Sequence, residues 1–357
     1  MSLNIGIVGL PNVGKSTLFN ALTKNNVLAA NYPFATIEPN TGIVPVPDER
    51  VARLGEIHES EKVIPATVTF VDIAGIVEGA HKGEGMGNAF LSHIREVDAI
   101  AQVVRAFEDD DIQHVHNKIE PQHDIEVINT ELLLADIQTV DNHLPKLTKL
   151  LKANPKVKSD IDALEGLKTK LENGELAVNT DVDDDLIKPL NLLTAKPFIY
   201  VFNLDEEGIA NENHKQELAN LAPSEHIVFV CAKIEAEIAQ LEGEDAEMFM
   251  AEYGLSESGL QVLSRVGYQT LGLQSYLTAG PKESKAWTIP IGATAPQAAG
   301  VIHTDFERGF IAAEVIRYDD LIELGSRTEA RAKGKARTEG KDYVMQDGDV
   351  VEFRFNT

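Results

Sequence analysis

The segment Gly9–Ser16, GLPNVGKS, constrains this chain more than any other feature. It fits the pattern G-x-x-x-x-G-K-[ST], and it lies between an apolar run at 5–8 that reads as a strand and a run at 17–23 that reads as a helix. Glycines let successive backbone N–H groups point inward, and the following helix adds the positive end of its dipole. The segment therefore predicts a phosphate-binding loop.

Two side chains of this loop have specific expected roles. Lys15 is placed to reach the β- and γ-phosphates of a nucleotide, and the Ser16 hydroxyl is placed to ligate Mg²⁺. The expected nucleotide contacts of the loop are Asn12, Val13, Gly14, Lys15, Ser16 and Thr17.

A second motif follows the apolar run at 67–71. It reads DIAG, so that Asp72 is a candidate to hold Mg²⁺ and the N–H of Gly75 is a candidate to contact the γ-phosphate. Thr36, on the segment after the first helix, is the natural second hydroxyl ligand. The predicted metal set is Ser16, Thr36 and Asp72, with Mg²⁺ as the ion.

Two further segments lie where guanine nucleotide-binding proteins read the base. Asn203-Leu204-Asp205-Glu206 stands in the place of Asn-Lys-x-Asp, and Cys231-Ala232-Lys233 stands in the place of Ser-Ala-Lys. Leu204 cannot supply a cation, and Glu206 is one methylene longer than aspartate, so guanine-selective geometry should be weakened. We expect ATP to be accepted at least as well as GTP, with base contacts from Asn203, Leu204, Glu206, Cys231 and Ala232.

The order of apolar runs predicts the fold class. Short runs rich in Val and Ile recur at 5–8, 67–71, 99–104, 198–202 and 227–231, with helical patterns between them. Such alternation indicates an α/β fold with a mostly parallel sheet and ligands at the carboxyl ends of its strands.

The 357 residues suggest more than one structural unit. Apolar residues at heptad spacing between 126 and 195 favour an antiparallel helical hairpin inserted into the sheet domain, although two ordinary packed helices fit the pattern as well. We therefore expect a nucleotide-binding domain in two parts, 1–125 and 196–278, with the hairpin between them. Short β-like runs separated by glycine and aspartate turns indicate a small α+β domain at 279–357.

Composition limits the partners. A net charge of −25 argues against general, charge-driven binding of DNA, and no apolar run is long enough to span a membrane. One cysteine, Cys231, fits a reducing compartment, so the expected location is the cytoplasm. A basic stretch between Arg327 and Lys341 is either a local RNA-facing patch or a solvated edge without a partner; its cations are Arg327, Arg331, Lys333, Lys335, Arg337 and Lys341.

Taken together, these motifs resemble the YchF (Obg-like ATPase) family of translation-factor-class P-loop proteins, essentially end to end. The stretches that carry the resemblance are Gly9–Ser16, Tyr32–Asn40, Asp72–Gly75, Asn203–Glu206 and the C-terminal segment from Ala295–Gly300 through Gly348. The resemblance implies a P-loop G domain with a helical insertion and a C-terminal TGS domain, which is a ubiquitin-like β-grasp module. It also implies ATP hydrolysis in preference to GTP, binding to the large ribosomal subunit, and a nucleotide contact from Phe34.

The same resemblance bears on catalysis. Where many GTPases carry a water-orienting glutamine this chain has Ile76, which cannot orient water, so slow hydrolysis is expected. The family pattern points to a histidine after the run at 99–104; His114 matches it, His116 lies close by, and an ordinary exposed loop histidine is the alternative for either. Asn12 resembles the asparagine of potassium-stimulated relatives, which adds K⁺ to the candidate ions.

The leading hypothesis is therefore a slow ribosome-associated ATPase that switches with its nucleotide in translation or a stress response. Two alternatives remain open on sequence alone. One is a nucleotide-sensing scaffold that does not hydrolyse, which Ile76 favours. The other is a conventional GTPase that binds RNA.

Overall fold

The computed structural model describes residues 3–24, 40–73, 86–109 and 119–356. In chain order, its strands are β1 (Asn4–Val8), β2 (Thr41–Pro45), β3 (Val63–Ile64), β4 (Thr67–Asp72), β5 (Ala99–Arg105), β6 (Phe198–Asn203), β7 (Ile227–Val230), β8 (Leu273–Ala279), β9 (Ser284–Pro290), β10 (Phe310–Arg317), β11 (Arg337–Glu339) and β12 (Asp349–Phe355).

Its helices, again in chain order, are α1 (Lys15–Lys24), α2 (Glu49–Ile57), α3 (Met86–Glu96), α4 (Pro121–Leu151), α5 (Val157–Glu172), α6 (Asp184–Ile187), α7 (Glu206–Ile209), α8 (Glu212–Ala219), α9 (Ala232–Ile238), α10 (Glu244–Glu252), α11 (Gly259–Thr270), α12 (Ala295–Ile302), α13 (Thr304–Arg308), α14 (Tyr318–Leu324) and α15 (Arg327–Ala332). Single 3₁₀ turns lie at Ala177–Asn179 and Lys188–Leu190. No helix in the described ranges is both long and apolar enough to cross a membrane.

A first sheet has the strand order β2-β4-β1-β5-β6-β7. Strands β4, β1, β5, β6 and β7 run parallel to one another, which confirms the predicted α/β class and the five predicted strands. Strands β5 and β6 are buried along their whole length, as expected for parallel strands covered on both faces. The loops that follow β1, β4, β6 and β7 therefore start from the same edge of the sheet.

Helices α4 and α5 form the helical hairpin that the heptad pattern favoured. On α5, Leu167 is buried, whereas the neighbouring Lys168 is only partly buried. Lys168 instead reaches Asp141 of α4, at 2.7 Å. At the base of the hairpin the buried Asp136 carboxylate accepts hydrogen bonds from the N–H groups of Leu193 and Thr194, both at 2.8 Å.

The chain divides into two compact units, Met1–Val44 with Thr69–Thr270 and Pro45–Val68 with Leu271–Thr357. The second unit contains a sheet of order β11-β10-β12-β8-β9-β3, in which β8 and β9 form an antiparallel hairpin and β12 lies parallel to β8. Its apolar core includes Tyr276, Ile289, Phe310 and Val351.

The extent of this unit differs from the predicted domain at 279–357, and it takes residues 45–68 from the predicted first part of the G domain. Strand β3 pairs with β9, and Arg50 at the start of α2 donates to Asp347 at 2.7 Å. A two-residue strand carries almost no sequence signal, so this long-range pairing could not be read from the pattern. The predicted domain began at 279 and therefore left out most of strand β8, which begins at Leu273.

Candidate nucleotide-binding site

The phosphate loop connects β1, which ends at Val8, to α1, which begins at Lys15. The N–H of Leu18 donates to the carbonyl of Gly14 at 3.0 Å, so Gly14 precedes the first helical turn. The Ser16 and Thr17 side chains are exposed on that turn, whereas Val13 is buried. The predicted strand, loop and helix are all present in the expected order.

Gly14 is required by both its conformation and its surroundings. Its φ of 91° lies in the left-handed region, which side chains rarely adopt. A Cβ at this position would lie 2.2 Å from Nδ2 of Asn203, so the end of strand β6 approaches the phosphate loop too closely for a side chain. The absence of a side chain at Gly14 thus allows the phosphate loop and Asn203 to lie in contact.

Asn203 forms that junction with two hydrogen bonds. Its Nδ2 donates to the carbonyl of Val13 at 2.9 Å, and its Oδ1 accepts from the N–H of Ala232 at 2.9 Å. The side chain is 4% exposed. Asn203 therefore connects the phosphate loop to the segment that follows β7. The order of these motifs was evident from the sequence, but their contact was not.

At the phosphate end of the site, Lys15 forms an ion pair with Asp72. The two side chains are 11% and 22% exposed, and their pairing places the lysine predicted to reach the phosphates beside the carboxylate predicted to hold Mg²⁺. The adjoining Ser16 supplies an exposed hydroxyl. One hydroxyl, one carboxylate and the phosphate oxygens suit Mg²⁺, which keeps several waters, so these residues fit the ion.

At the base end, the side chains of the Asn203–Glu206 segment differ in burial and in hydrogen-bond partners. Leu204 is 2% exposed, and its Cδ2 lies 3.1 Å from where a Cβ of Gly208 would be. The Asp205 carboxylate accepts from the N–H of Gly208 at 2.7 Å and so caps α7. Glu206 is left facing solvent and forms an ion pair with Lys233, at 2.6 Å.

Two residues of this end were not predicted as site residues. Lys233 follows Cys231 and Ala232, which are predicted base contacts and are both buried. Its position in a triplet that resembles Ser-Ala-Lys is the sequence feature that could have identified it. Glu235, on the same helix α9, accepts from the N–H of Gly259 at 2.7 Å. Burial raises the pKa of Glu235 to about 7, although the hydrogen bonds from the backbone oppose the shift.

Several predicted residues lie outside the described ranges. They are Phe34, Thr36, Gly75 and Ile76, together with both histidines, His114 and His116. The described part of the chain holds no group of three or more His, Cys, Asp or Glu side chains suited to a metal ion.

The basic stretch in the second unit is largely charge-compensated. Arg327 pairs with Glu352 at 2.9 Å, and Arg331 pairs with the buried Glu314 at 2.7 Å. Two other pairs are Lys335 with Asp320, at 2.8 Å, and Arg337 with Glu339, at 3.2 Å. Within the described residues only Lys333 and Lys341 of the six cations form no ion pair, so the predicted patch is much weaker than its sequence suggested.

The sheet, the phosphate loop and the Lys15–Asp72 pair define a P-loop nucleoside triphosphatase domain. Residues 4–138 match a family model described as 50S ribosome-binding GTPase, and residues 273–356 match the YchF-GTPase_C model, described as a protein of unknown function. The match at 273–356 falls within the second compact unit.

Whole-chain relatives give the family. Proteins named Ribosome-binding ATPase YchF from Haemophilus ducreyi and Bacillus subtilis are 54% and 50% identical to this chain, each over 100% of both sequences. The solved structure of the Schizosaccharomyces pombe YchF GTPase is 39% identical, covers 99% of this chain and 98% of its own, and superposes with a TM-score of 0.88. The chain belongs to the YchF family, which confirms the resemblance inferred from its motifs.

Proposed function

We propose that this chain is a ribosome-associated, Mg²⁺-dependent ATPase of the cytoplasm that changes state with its bound nucleotide. The observation that carries the proposal is the convergence of Lys15, Asp72 and the Gly14–Asn203 junction at one edge of the sheet. Lys15 neutralises charge on the β- and γ-phosphates, and Ser16 and Asp72 would hold Mg²⁺. When bound, the ion would supply positive charge that stabilises the charge developing during phosphoryl transfer.

The choice of base rests on the other end of the site. The relatives are named ATPases and the solved structure is named a GTPase, so their names do not decide the nucleotide. Leu204 is buried and Asp205 caps its own helix, so neither side chain is presented for guanine. These contacts support a site that accepts ATP at least as well as GTP.

Water activation is assigned to the loop histidine that the family pattern indicates. In this proposal a neutral His114 orients the attacking water, because Ile76 cannot, and His116 is the neighbouring alternative. The same proposal includes stimulation of hydrolysis by K⁺, for which Asn12 is the candidate residue. If His114→Ala and His116→Ala both kept the wild-type hydrolysis rate, the histidine assignment would be wrong.

The proposed partner is the ribosome, because the relatives are named ribosome-binding. The large subunit is proposed in particular, because the family model that matches residues 4–138 is described as 50S ribosome-binding. The helical hairpin and the second unit are the proposed contact regions. Within the basic stretch, Lys333 and Lys341 are exposed and have no carboxylate partner among the described residues, so they are the cations free to meet ribosomal RNA phosphates.

Co-sedimentation with ribosomes tests that surface. We expect Lys333→Glu with Lys341→Glu to weaken binding several-fold, and more at low salt than at high salt, because phosphate contacts release counterions. Lys62→Glu with Lys282→Glu, which changes charge equally at exposed positions of the same unit, is the matched control. If both double variants lost ribosome binding equally, the effect would come from net charge, and Lys333 and Lys341 would not be a specific contact surface.

Single-turnover hydrolysis of ATP, with and without ribosomes, tests the function itself. We expect turnover above background that requires Mg²⁺ and is lost in Lys15→Met. Absence of turnover in both conditions would favour the alternative of a nucleotide-sensing scaffold. GTP binding at least tenfold tighter than ATP would favour the alternative of a conventional RNA-binding GTPase, a gap of about 1.4 kcal/mol.

A further inference from the structure

An ion pair at the base end of the site joins the first turns of two different helices. Glu206 begins α7, which follows β6, and Lys233 lies in the first turn of α9, which follows β7. The strands are parallel neighbours, with Asn203 of β6 opposite Val230 of β7. Lys233 Nζ lies 2.6 Å from Glu206 Oε1.

The pair lies next to the rigid part of the site. Ala232, which precedes Lys233, donates its N–H to Asn203, and Asn203 binds the phosphate loop. Glu235, two residues after Lys233, is fixed to the start of α11 by hydrogen bonds from Gly259 and Leu260. The backbone beneath Lys233 is thus held on both sides, although its side chain is 69% exposed.

Glu206 is the carboxylate of its segment that can face a base. Asp205 is engaged with Gly208, whereas Glu206 is 41% exposed. The hydrogen bond with Glu206 is the main cause of the raised pKa of Lys233, so the ammonium form is favoured beside this carboxylate. One oxygen of Glu206 is therefore engaged by a cation before any base arrives.

That engagement affects the two purines differently. Guanine presents two donors, N1–H and the 2-amino group, and a carboxylate reads both with its two oxygens. Adenine presents an acceptor at N1, which an unpaired carboxylate would repel. A carboxylate neutralised by a lysine loses bidentate guanine recognition and no longer opposes adenine.

We propose that Lys233 is a base-selectivity residue, which holds Glu206 in an ion pair and thereby shifts the preference of the site from guanine toward adenine. The inference rests on the proposed nucleotide-binding function and names the residue that tunes it. In this proposal Lys233 acts through Glu206, its ion-pair partner among the described residues.

Calorimetric titration of the full chain with Mg-ATP and Mg-GTP tests the role. In Lys233→Met, which keeps length but removes the charge, we expect the ratio of Kd for GTP to Kd for ATP to fall by about threefold to tenfold. Lys233→Arg should retain the wild-type ratio. Lys158→Met, which breaks an exposed lysine–aspartate pair on the hairpin, should leave the ratio unchanged.

Glu206→Gln provides the second half of a double-mutant cycle. If Lys233 acts through Glu206, Lys233→Met should have no further effect on the ratio in the Glu206→Gln background. An unchanged ratio in Lys233→Met alone, an equal loss of both affinities, or a full effect in the Glu206→Gln background would each overturn the inference. If wild-type protein bound neither nucleotide, the proposed function would fail as well; if it bound and hydrolysed ATP while the ratio stayed fixed, the selectivity role alone would fail.

Discussion

The two ends of the nucleotide site each contain a lysine–carboxylate pair, and the pairs differ in burial. Lys15 and Asp72 are 11% and 22% exposed, whereas Lys233 and Glu206 are 69% and 41% exposed. The first pair lies against a loop whose glycine is in contact with a buried asparagine, and the second projects from the first turns of two short helices. In the proposed site, phosphate binding therefore rests on largely buried contacts, whereas base choice rests on exposed side chains.

The largest expected effect is at the phosphate end. Lys15→Met removes the cation aimed at the phosphates and leaves the part-buried Asp72 without its partner, so kcat/KM for ATP should fall roughly 100-fold or more. Lys158→Met is the control, because it removes an equal charge at an exposed site. A variant at Lys15 within threefold of wild type in steady-state hydrolysis would contradict the assignment of this end.

Asn203 joins the two ends, so its removal should damage both. Asn203→Ala leaves the carbonyl of Val13 and the N–H of Ala232 without their buried partner, which should lower the free energy of unfolding by about 2–4 kcal/mol. Urea denaturation measures this change. Asn129→Ala, which loses one long bond to Tyr200 at 3.4 Å, should cost less than about 1 kcal/mol, and equal losses in the two variants would argue against a special junction.

Beneath the base end, Glu235 predicts a pH dependence of stability. Its folded pKa of about 7 lies above the ordinary value of 4.5, so between these values the folded chain binds the proton more tightly than the unfolded chain. The contribution of Glu235 to the free energy of unfolding should therefore decline as pH rises from 4.5 to 7, by at most about 1.4 kcal/mol per pH unit.

Denaturation of Glu235→Gln at several pH values isolates that contribution. The variant should show a flatter decline than wild type across this window, whereas Glu237→Gln, at an exposed position of the same helix, should follow wild type. Wild-type pH dependence in Glu235→Gln would remove Glu235 as its source.

The two ends of the site also differ in how well the sequence predicts them. The phosphate loop and the five parallel strands were predictable because their signals are local: a fixed glycine spacing, and apolar runs that must be buried on both faces. The Lys233–Glu206 pair joins residues 27 positions apart in the first turns of two short helices, and no local pattern specifies that their side chains meet.

The second unit was predictable in class but not in extent. Its apolar runs and turns indicated a small α+β domain, whereas residues 45–68 join it through β3 and the Arg50–Asp347 contact, which spans 297 positions. The ion pairs of the basic stretch could not be read from the sequence for the same reason. Glu314, Asp320 and Glu352 lie outside the stretch in sequence and pair with its cations only in the folded chain.

We infer that this site combines an ordinary phosphate end with a base end that does not favour guanine. Isothermal titration of the wild-type chain with Mg-ATP and Mg-GTP, under identical salt conditions, measures that preference. We expect a Kd for ATP equal to or below that for GTP. A Kd for GTP at least tenfold below that for ATP, a difference of about 1.4 kcal/mol, would contradict it.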